Sequence, residues 1–299
     1  MQFRLNFSPE PEHCLLNLSD RMTNLENHKH FDCHMHTILC GHAFGSPQDY
    51  VEDAARQGIS LITFTCHIPM REERFSQEGI RMHKRDLPLY REMITEARAH
   101  GEDLGVEVLY GIEAEVFPDP SSMEDMDEIL HRESFDFVLG SLHHQLPAFR
   151  QWLAEKDYRK DSEKVAAYFD CLARGAASGR YHSLSHPDVI RIYGTLEEPF
   201  DPADHEPAIQ DFLDRVADSG TCLEINTSGL SKGDFVVHPD PLILQWALER
   251  DIPFTIGSDS HAPQMVGQHF DAVLKEARKL GLDRLHYFRE GQRVAVSLD

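Results

Sequence analysis

Residues 31–37 read Phe-Asp-Cys-His-Met-His-Thr, a short strand-like run that ends in two histidines one residue apart. Successive side chains of a strand point to opposite faces. His34 and His36 therefore share a face, about 7 Å apart along the backbone, where both can bind one cation. Asp32 shares that face, and the apolar Met35 points the other way. This stretch predicts a metal site at the end of a buried strand.

The same arrangement recurs along the chain, because most of the short apolar runs are followed by a side chain that can bind a metal. The candidate ligands, in chain order, are His34, His36, His42, His67, Glu113, His143, His186, Asp259 and His261. Parallel α/β barrels place their functional residues at the carboxyl ends of their strands. The repetition predicts one site built from many strands, with imidazole and carboxylate ligands that suit Zn²⁺, Fe²⁺ or Mn²⁺.

Strand-like and helix-like segments alternate in the order of repeated βα units. We predict strands near 31–37, 59–66, 106–116, 135–142, 181–186, 221–227 and 253–258. We predict helices over 47–57, 87–99, 160–174, 207–217, 241–250 and 264–280. Repeated βα units favour a parallel sheet, and converging ligands favour a closed barrel. We therefore expect an α/β barrel in one domain over 31–299, preceded by an N-terminal extension, residues 1–30, that forms an extra strand or a loose arm.

Charge and cysteine content narrow the class of protein. The chain has 51 acidic against 29 basic residues and a formal charge of −22, which disfavours nucleic acid and anionic membranes as partners. Its six cysteines form no C-x-x-C pair, which is typical of reduced thiols. No secretory leader or long apolar stretch is visible. We expect a cytoplasmic enzyme with a small-molecule substrate. The sequence leaves its oligomeric state open.

Six motifs in this order resemble the PHP (polymerase and histidinol phosphatase) superfamily. They are Phe-Asp-Cys-His-Met-His-Thr at 31–37, Phe-Thr-Cys-His at 64–67, Gly-Ile-Glu at 111–113, Gly-Ser-Leu-His at 140–143, Ser-His-Pro at 185–187 and Gly-Ser-Asp-Ser-His at 257–261. The resemblance runs from about residue 31 to the C-terminus. It implies a distorted (β/α)₇ barrel with about two to three divalent ions of Zn, Fe or Mn at the carboxyl ends of its strands.

For trinuclear members the resemblance implies three ligand sets. The first comprises His34, His36, Glu113 and Asp259. The second comprises Glu113 as a bridge, His143 and His186. The third comprises His42, His67 and His261.

Within the superfamily the chain is most similar to stand-alone histidinol-phosphate phosphatases. Thr-Cys-His-Ile-Pro at 65–69 and His-Pro-Asp-Val-Ile-Arg at 186–191 carry this likeness. The chain departs from these phosphatases in two ways. Cys66 stands where an acidic residue is usual, and the first motif, which usually lies close to the N-terminus, here follows residues 1–30. The likeness implies a metal-dependent phosphatase of histidine biosynthesis that converts L-histidinol phosphate to L-histidinol and phosphate by means of a metal-activated water.

We assign catalytic roles to three of the ligands, Glu113, Asp259 and His261. For substrate binding we select Arg191, just beyond His186, and then Arg150, because an Arg fork binds phosphate in a bidentate manner. Glu224 and Asn226 share one face of their strand. We predict that they shape the pocket or bind a substrate amine.

Three alternatives remain open at this point. The first is a PHP phosphoesterase that acts on nucleotides or another phosphate ester. The second is a metal-binding barrel with a structural or regulatory role. An amidohydrolase-like deaminase is the third, although it would use a bridging Lys where this chain has Glu113.

Overall fold

Seven parallel strands in chain order form the barrel in the computed structural model, which describes residues 30–76, 79–232 and 235–298. The predicted extension, residues 1–30, lies outside this description except for His30. The strands are β1 (Phe31–Met35), β2 (Leu61–Phe64), β3 (Glu107–Glu115), β4 (Phe137–Ser141), β5 (Ser183–Leu184), β6 (Cys222–Asn226) and β7 (Phe254–Gly257). All seven were predicted, although β5 is much shorter than expected.

The barrel closes where the chain beyond β7 meets β1. The backbone N–H of His36 donates to the carbonyl of Ser260 at 2.9 Å, and the N–H of Ser260 donates to the carbonyl of His34 at 3.2 Å. β3 changes partner along its length, because its first half pairs with β2 and its second half, from Gly111, pairs with β4. These pairings confirm the predicted distorted (β/α)₇ barrel.

Eight α-helices accompany these strands within the described ranges, seven of them between strands and the last after β7. They are α1 (Pro47–Arg56), α2 (Leu87–Leu104), α3 (Glu124–Arg132), α4 (Pro147–Glu155), α5 (Asp161–Ala177), α6 (Glu206–Ser219), α7 (Pro241–Leu248) and α8 (Phe270–Lys279). Ser46 and Asp49 form a capping box at the start of α1. In these parts of the chain, no helix combines the length and hydrophobicity needed to cross a bilayer.

Two predicted helix boundaries were wrong. α2 continues past Gly101 to Leu104, because the bare backbone of Gly101 packs against the carbonyl of Val106, where a Cβ would lie 2.3 Å from the oxygen. α8 begins at Phe270 rather than 264, because 263–265 form a 3-10 turn and His269 adopts a left-handed φ of 63°. The sequence patterns also missed α3 and α4.

A C-terminal hairpin that was not predicted covers the amino end of the barrel. It consists of β8 (Arg284–Arg289) and β9 (Gln292–Ser297), paired antiparallel. The Tyr287 ring packs on Phe31 and the Phe288 ring on Phe137, with ring centroids 5.4 and 5.3 Å apart. Phe31 and Phe137 are the first residues of β1 and β4, so the hairpin lies opposite the strand ends that carry the candidate ligands.

Asp32 stabilises the junction at which the barrel closes, between β1 and the segment beyond β7, which we call the seam. Its buried carboxyl group accepts hydrogen bonds from the backbone N–H groups of His34, Ser258 and Gly267 at 3.2, 3.0 and 3.0 Å, and from the Ser258 hydroxyl. Burial raises the pKa of Asp32, against the effect of the Ser258 hydrogen bonds. One side chain thus joins β1 to the segment beyond β7.

We predict that Asp32→Ala lowers the free energy of unfolding by about 2–4 kcal/mol, because several buried N–H groups lose their acceptor and each such loss costs about 1–3 kcal/mol. Urea unfolding followed by circular dichroism measures this change. Asp218→Ala, at an exposed position on α6, is the matched control. A loss for Asp32→Ala no larger than for the control would contradict the role of Asp32 in the seam.

Candidate metal centre

Glu113, at the centre of the carboxyl ends of the strands, is the point at which the predicted ligands meet. Its side chain is 1% exposed. Five imidazoles surround its carboxylate, with N···O distances of 2.6 Å to His67, 3.5 Å to His143, 3.5 Å to His186, 3.6 Å to His34 and 3.7 Å to His36. Together with Glu113, these side chains come from five different strands, so the barrel itself assembles the cluster.

Asp259 forms a second acidic point beside Glu113. Its Oδ1 lies 3.2 Å from Nε2 of His36 and 3.5 Å from Nε2 of His34. Its Oδ2 points away from these rings and accepts hydrogen bonds from Lys232 at 2.9 Å and Ser228 at 3.0 Å. Asp259 and His186 both have a left-handed φ, of 50° and 25°. Such strain is typical of functional sites.

His42 and His261 extend the cluster toward solvent. Their ring centroids lie 4.4 Å apart, and the His261 ring stacks on His36 at 4.1 Å. Nδ1 of His42 donates to the carbonyl of Cys40 and Nδ1 of His261 donates to the carbonyl of Asp259, both at 2.9 Å. A proton on Nδ1 leaves Nε2 with a free lone pair, which is the form in which imidazole binds a metal.

Two buried carboxylates orient histidines from behind. Glu224 lies 2.7 Å from Nδ1 of His34, and Glu115 lies 2.8 Å from Nδ1 of His143. The buried guanidinium of Arg81 pairs with Glu115 in turn. Carboxylate partners of this kind fix the ring of a metal-binding histidine and raise its basicity. Sequence analysis overlooked Glu115, although its spacing of two from Glu113 puts both on one face of β3.

The buried polar atoms of this cluster fit metal ions. Within the described residues, five of them lack a hydrogen-bond partner: His36 Nδ1, His67 Nδ1, Glu113 Oε2, His186 Nδ1 and His261 Nε2. His67 Nδ1 and Glu113 Oε2 are only 2.6 Å apart, yet their orientation does not fit a hydrogen bond. An unpartnered buried atom costs about 1–3 kcal/mol, and a bound cation would remove that cost at each atom that it contacts.

The buried imidazoles and Lys232 keep the two carboxylates of the cluster ionised. Burial opposes ionisation of Glu113, but His67, His143 and His34 hold its pKa well below the ordinary value. Burial likewise opposes ionisation of Asp259, but Lys232 and His34 keep its pKa well below the ordinary value. Burial lowers the pKa of His261 to about 3. In spite of burial, Glu224 raises the pKa of His34 well above the ordinary value, and Glu115 raises that of His143 to about 9. The two carboxylates and the His261 imidazole are therefore in the forms that bind metals, whereas His34 and His143 release a proton when they bind one.

The three implied ligand sets correspond to three neighbourhoods of this cluster. His34, His36 and Asp259 have ligand atoms within 4.8 Å of one another, as do His67, Glu113 and His143. His186 reaches the same carboxylate as His143, and His42 and His67 have stacked rings with centroids 5.6 Å apart. The number of ions and the division of ligands among them stay predictions.

The four residues selected for substrate binding lie outside the cavity. The Arg191 guanidinium pairs with Asp188 and Asp240 and donates to the carbonyl of Val237, because the 3-10 turn at 189–191 directs it away from the metal cluster. Arg150 donates to the carbonyl of Tyr193 at 2.9 Å.

Glu224 and Asn226 are fully buried beneath the histidines, where the Asn226 amide donates to Glu224 at 3.0 Å. Gly257 makes room for this layer, since a Cβ at 257 would lie 2.2 Å from Oε1 of Glu224. Strand alternation correctly turns Glu224 and Asn226 inward, but they support the ligands from below rather than line the pocket.

A cavity of about 290 Å³ opens directly over the metal cluster. Glu113, Asp259 and five of the candidate histidine ligands line its floor. Lys232 lines its wall. Among the residues that the structure describes, it is the one Lys or Arg side chain in the lining. The remaining wall is formed by Gln145, Val189, Ile192, Tyr193, Ser228, His238 and Met265. The cavity thus combines an acidic, imidazole-rich floor, one cation and an apolar side.

Comparison with known proteins identifies relatives of the whole fold. A model of the PHP domain matches residues 32–228, and a model of the PHP-associated region matches 241–279. A Deinococcus radiodurans protein named "Probable histidinol-phosphatase" is 34% identical over 256 residues, which cover 84% of this chain and 93% of the relative. A Schizosaccharomyces pombe protein of the same name is 25% identical, with coverage of 85% and 87%.

The crystal structure of histidinol phosphate phosphatase from Lactococcus lactis has the same fold. It superposes with a TM-score of 0.71 at 21% identity, and the match covers 89% of this chain and 99% of that one. That structure contains Zn, L-histidinol and phosphate.

These matches confirm the resemblance drawn from the six motifs. They also confirm the predicted class of enzyme, a phosphoric monoester hydrolase. With a domain model that spans about two thirds of its length and a relative at 34% identity, the chain belongs to the PHP family.

Proposed function

We propose that this protein is a metal-dependent phosphatase that hydrolyses L-histidinol phosphate to L-histidinol and phosphate. The observation that carries the proposal is the convergence of five imidazoles on the Glu113 carboxylate, with several buried atoms that lack any protein partner. The names of the Deinococcus and yeast relatives, and the ligands of the Lactococcus structure, support histidinol phosphate as the substrate. A cytoplasmic location and a role in histidine biosynthesis stay predictions from the sequence.

The side chains around Glu113 and Asp259 would hold divalent ions of Zn, Fe or Mn. Such ions lower the pKa of water toward 7 and offset negative charge on phosphoryl oxygens. Oε1 of Glu113 faces His34, His143 and His186, and its Oε2 faces His36 and His67. Because each oxygen faces imidazoles from more than one strand, the carboxylate would suit a bridging role. His261 and Asp259 line the same cavity, which supports the catalytic roles that we predict for them.

Lys232 replaces Arg191 and Arg150 as our candidate for phosphate binding. Its ammonium group lies at the cavity wall, 2.9 Å from Oδ2 of Asp259, and Asp259 holds its pKa above the ordinary value in spite of burial. The other carboxylate oxygen, Oδ1, faces His36 and His34. A metal at Oδ1 would reduce the charge on Asp259, which frees the ammonium group to bind a phosphoryl oxygen.

The apolar part of the cavity wall fits the alcohol part of a small ester. Ile192, Tyr193 and Met265 give it an apolar surface. Oε1 of Gln145, at the same cavity, is buried and has no hydrogen-bond partner. An unpaired acceptor beside an apolar wall suits a compact group that carries N–H donors, and histidinol has both an ammonium group and an imidazole ring.

A phosphate-release panel tests the proposal. It compares histidinol phosphate with nucleoside monophosphates and sugar phosphates on enzyme of known metal content. We expect kcat/KM for histidinol phosphate to exceed every other value by about 10-fold or more, which corresponds to about 1.4 kcal/mol of transition-state binding. A preferred nucleotide would contradict the substrate, and no release from any ester by metal-loaded protein would contradict the phosphatase itself.

We predict that Lys232→Met lowers kcat/KM for histidinol phosphate by about 10- to 150-fold, because a charge-assisted hydrogen bond contributes about 1.5–3 kcal/mol. The metal content should remain that of the wild type, since the ammonium group cannot bind a metal. Lys279→Met, which removes an exposed ammonium group paired with Glu276 on α8, is the matched control. Values of kcat and KM close to those of the control would place Lys232 outside substrate binding.

A further inference from the structure

Cys40 lies on the loop that carries His42, directly beneath the outer part of the metal cluster. The loop makes a 3-10 turn at Ile38–Cys40 and then reverses at Gly41, whose φ is 78°. A side chain at position 41 would lie 2.2 Å from the carbonyl oxygen of Gly79. Gly41 thus allows the tight reversal that brings the side chains of Cys40 and His42 to the same part of the site.

The thiol of Cys40 is within reach of two candidate ligands. Its Sγ, one ring nitrogen of His42 and one of His261 all lie within 4.8 Å of one another. Cys40 is fully buried, and Nε2 of His261 is a buried atom without a hydrogen-bond partner. Three ligand-type atoms at this spacing can converge on one ion, because Zn–S and Zn–N bonds are about 2.3 and 2.0–2.1 Å long.

We propose that Cys40 is a thiolate ligand of a metal ion that it shares with His42 and His261, and that its sulfur makes this position selective for Zn²⁺ over Mn²⁺. The proposal rests on the metal centre described under the proposed function. It adds a ligand to the set of His42, His67 and His261 that the family resemblance implies, and it sets the identity of the metal there.

The charge of the site favours this assignment. His42, His67 and His261 are neutral ligands, so alone they leave the charge of a dication uncompensated. A thiolate supplies one negative charge. Soft thiolate ligands favour Zn²⁺, whereas Mn²⁺ favours carboxylate, carbonyl and water oxygens.

The neighbouring thiol of Cys66 is a weaker candidate for the same role. Two hydrogen bonds already join it to Thr37: the Thr37 hydroxyl donates to its Sγ at 3.3 Å, and the thiol donates to the Thr37 carbonyl at 3.8 Å. Its near neighbours of ligand type are Cys40 and His36, on the inner side of the cluster. Cys66 therefore provides a matched control: a second buried thiol close to the metal centre.

Replacement of the native ions by Co²⁺ tests the assignment by absorption spectroscopy. We expect the wild type and Cys66→Ser to show a near-ultraviolet sulfur-to-cobalt charge-transfer band, and Cys40→Ser to lose the band but keep the visible ligand-field bands of the remaining ions. We also expect Cys40→Ser to bind its weakest Zn²⁺ ion at least about 10-fold less tightly, since even partners outside the first shell are worth 10- to 100-fold in affinity. Competition with Mn²⁺ should become correspondingly less one-sided.

X-ray absorption at the zinc edge tests the wild type without any substitution. The proposal expects sulfur scattering at about 2.3 Å in the reduced, zinc-loaded enzyme. Oxygen and nitrogen scattering alone would overturn it, as would a cobalt band that survives Cys40→Ser but disappears in Cys66→Ser. Ligand-field bands without a sulfur band would reject Cys40 while leaving the metal centre intact, whereas a protein that binds no Co²⁺ or Zn²⁺ would reject the metal centre itself.

Discussion

A buried carboxylate surrounded by imidazoles is the interaction on which the rest of this structure depends. Glu113 is 1% exposed at the centre of the barrel mouth, and histidines from four other strands lie 2.6–3.7 Å from its oxygens. A buried charge is stable only when it is paired or bound to a metal. The imidazoles alone leave Oε2 of Glu113 and several ring nitrogens without partners, so this arrangement is complete only with cations in it.

The layer beneath the ligands shows how the barrel maintains that arrangement. Where many barrels fill their interior with branched apolar residues, this one places Glu224, Glu115 and Asp32 under its histidines. Glu224 and Glu115 orient His34 and His143, and Asp32 holds the seam that keeps β1 beside β7. The geometry of the site therefore depends on the closure of the barrel, because a change in the seam also shifts both histidines of the first motif.

Much of this was predictable from the sequence because it is local. Strand alternation put His34 and His36 on one face, and short apolar runs identified the strands whose ends carry His67, Glu113 and His143. The same alternation turned Glu224 inward. It could not reveal whether an inward side chain lies in the cavity or beneath it, since that depends on its height in the barrel.

Loop paths and packing decided the features that sequence patterns missed. Arg191 follows a ligand histidine closely, but a 3-10 turn directs it to Asp188 and Asp240, whereas Lys232 reaches the cavity from a different loop. The hairpin of β8 and β9 is set by aromatic contacts with β1 and β4, residues distant in sequence. Cys66 marked a departure from the related phosphatases, yet the thiol that faces His42 and His261 belongs to Cys40.

The central claim, that Glu113 organises a cluster of metal ions, is tested most directly by counting metal ions per chain. Elemental analysis compares the wild type with Glu113→Gln, which keeps the size of the side chain but removes its charge, and with Glu102→Gln, an exposed control on α2. The account predicts about two to three transition-metal ions in the wild type and the control, and a loss of at least about two in folded Glu113→Gln. Wild-type protein with fewer than about one ion per chain, or folded Glu113→Gln with the full number, would contradict it.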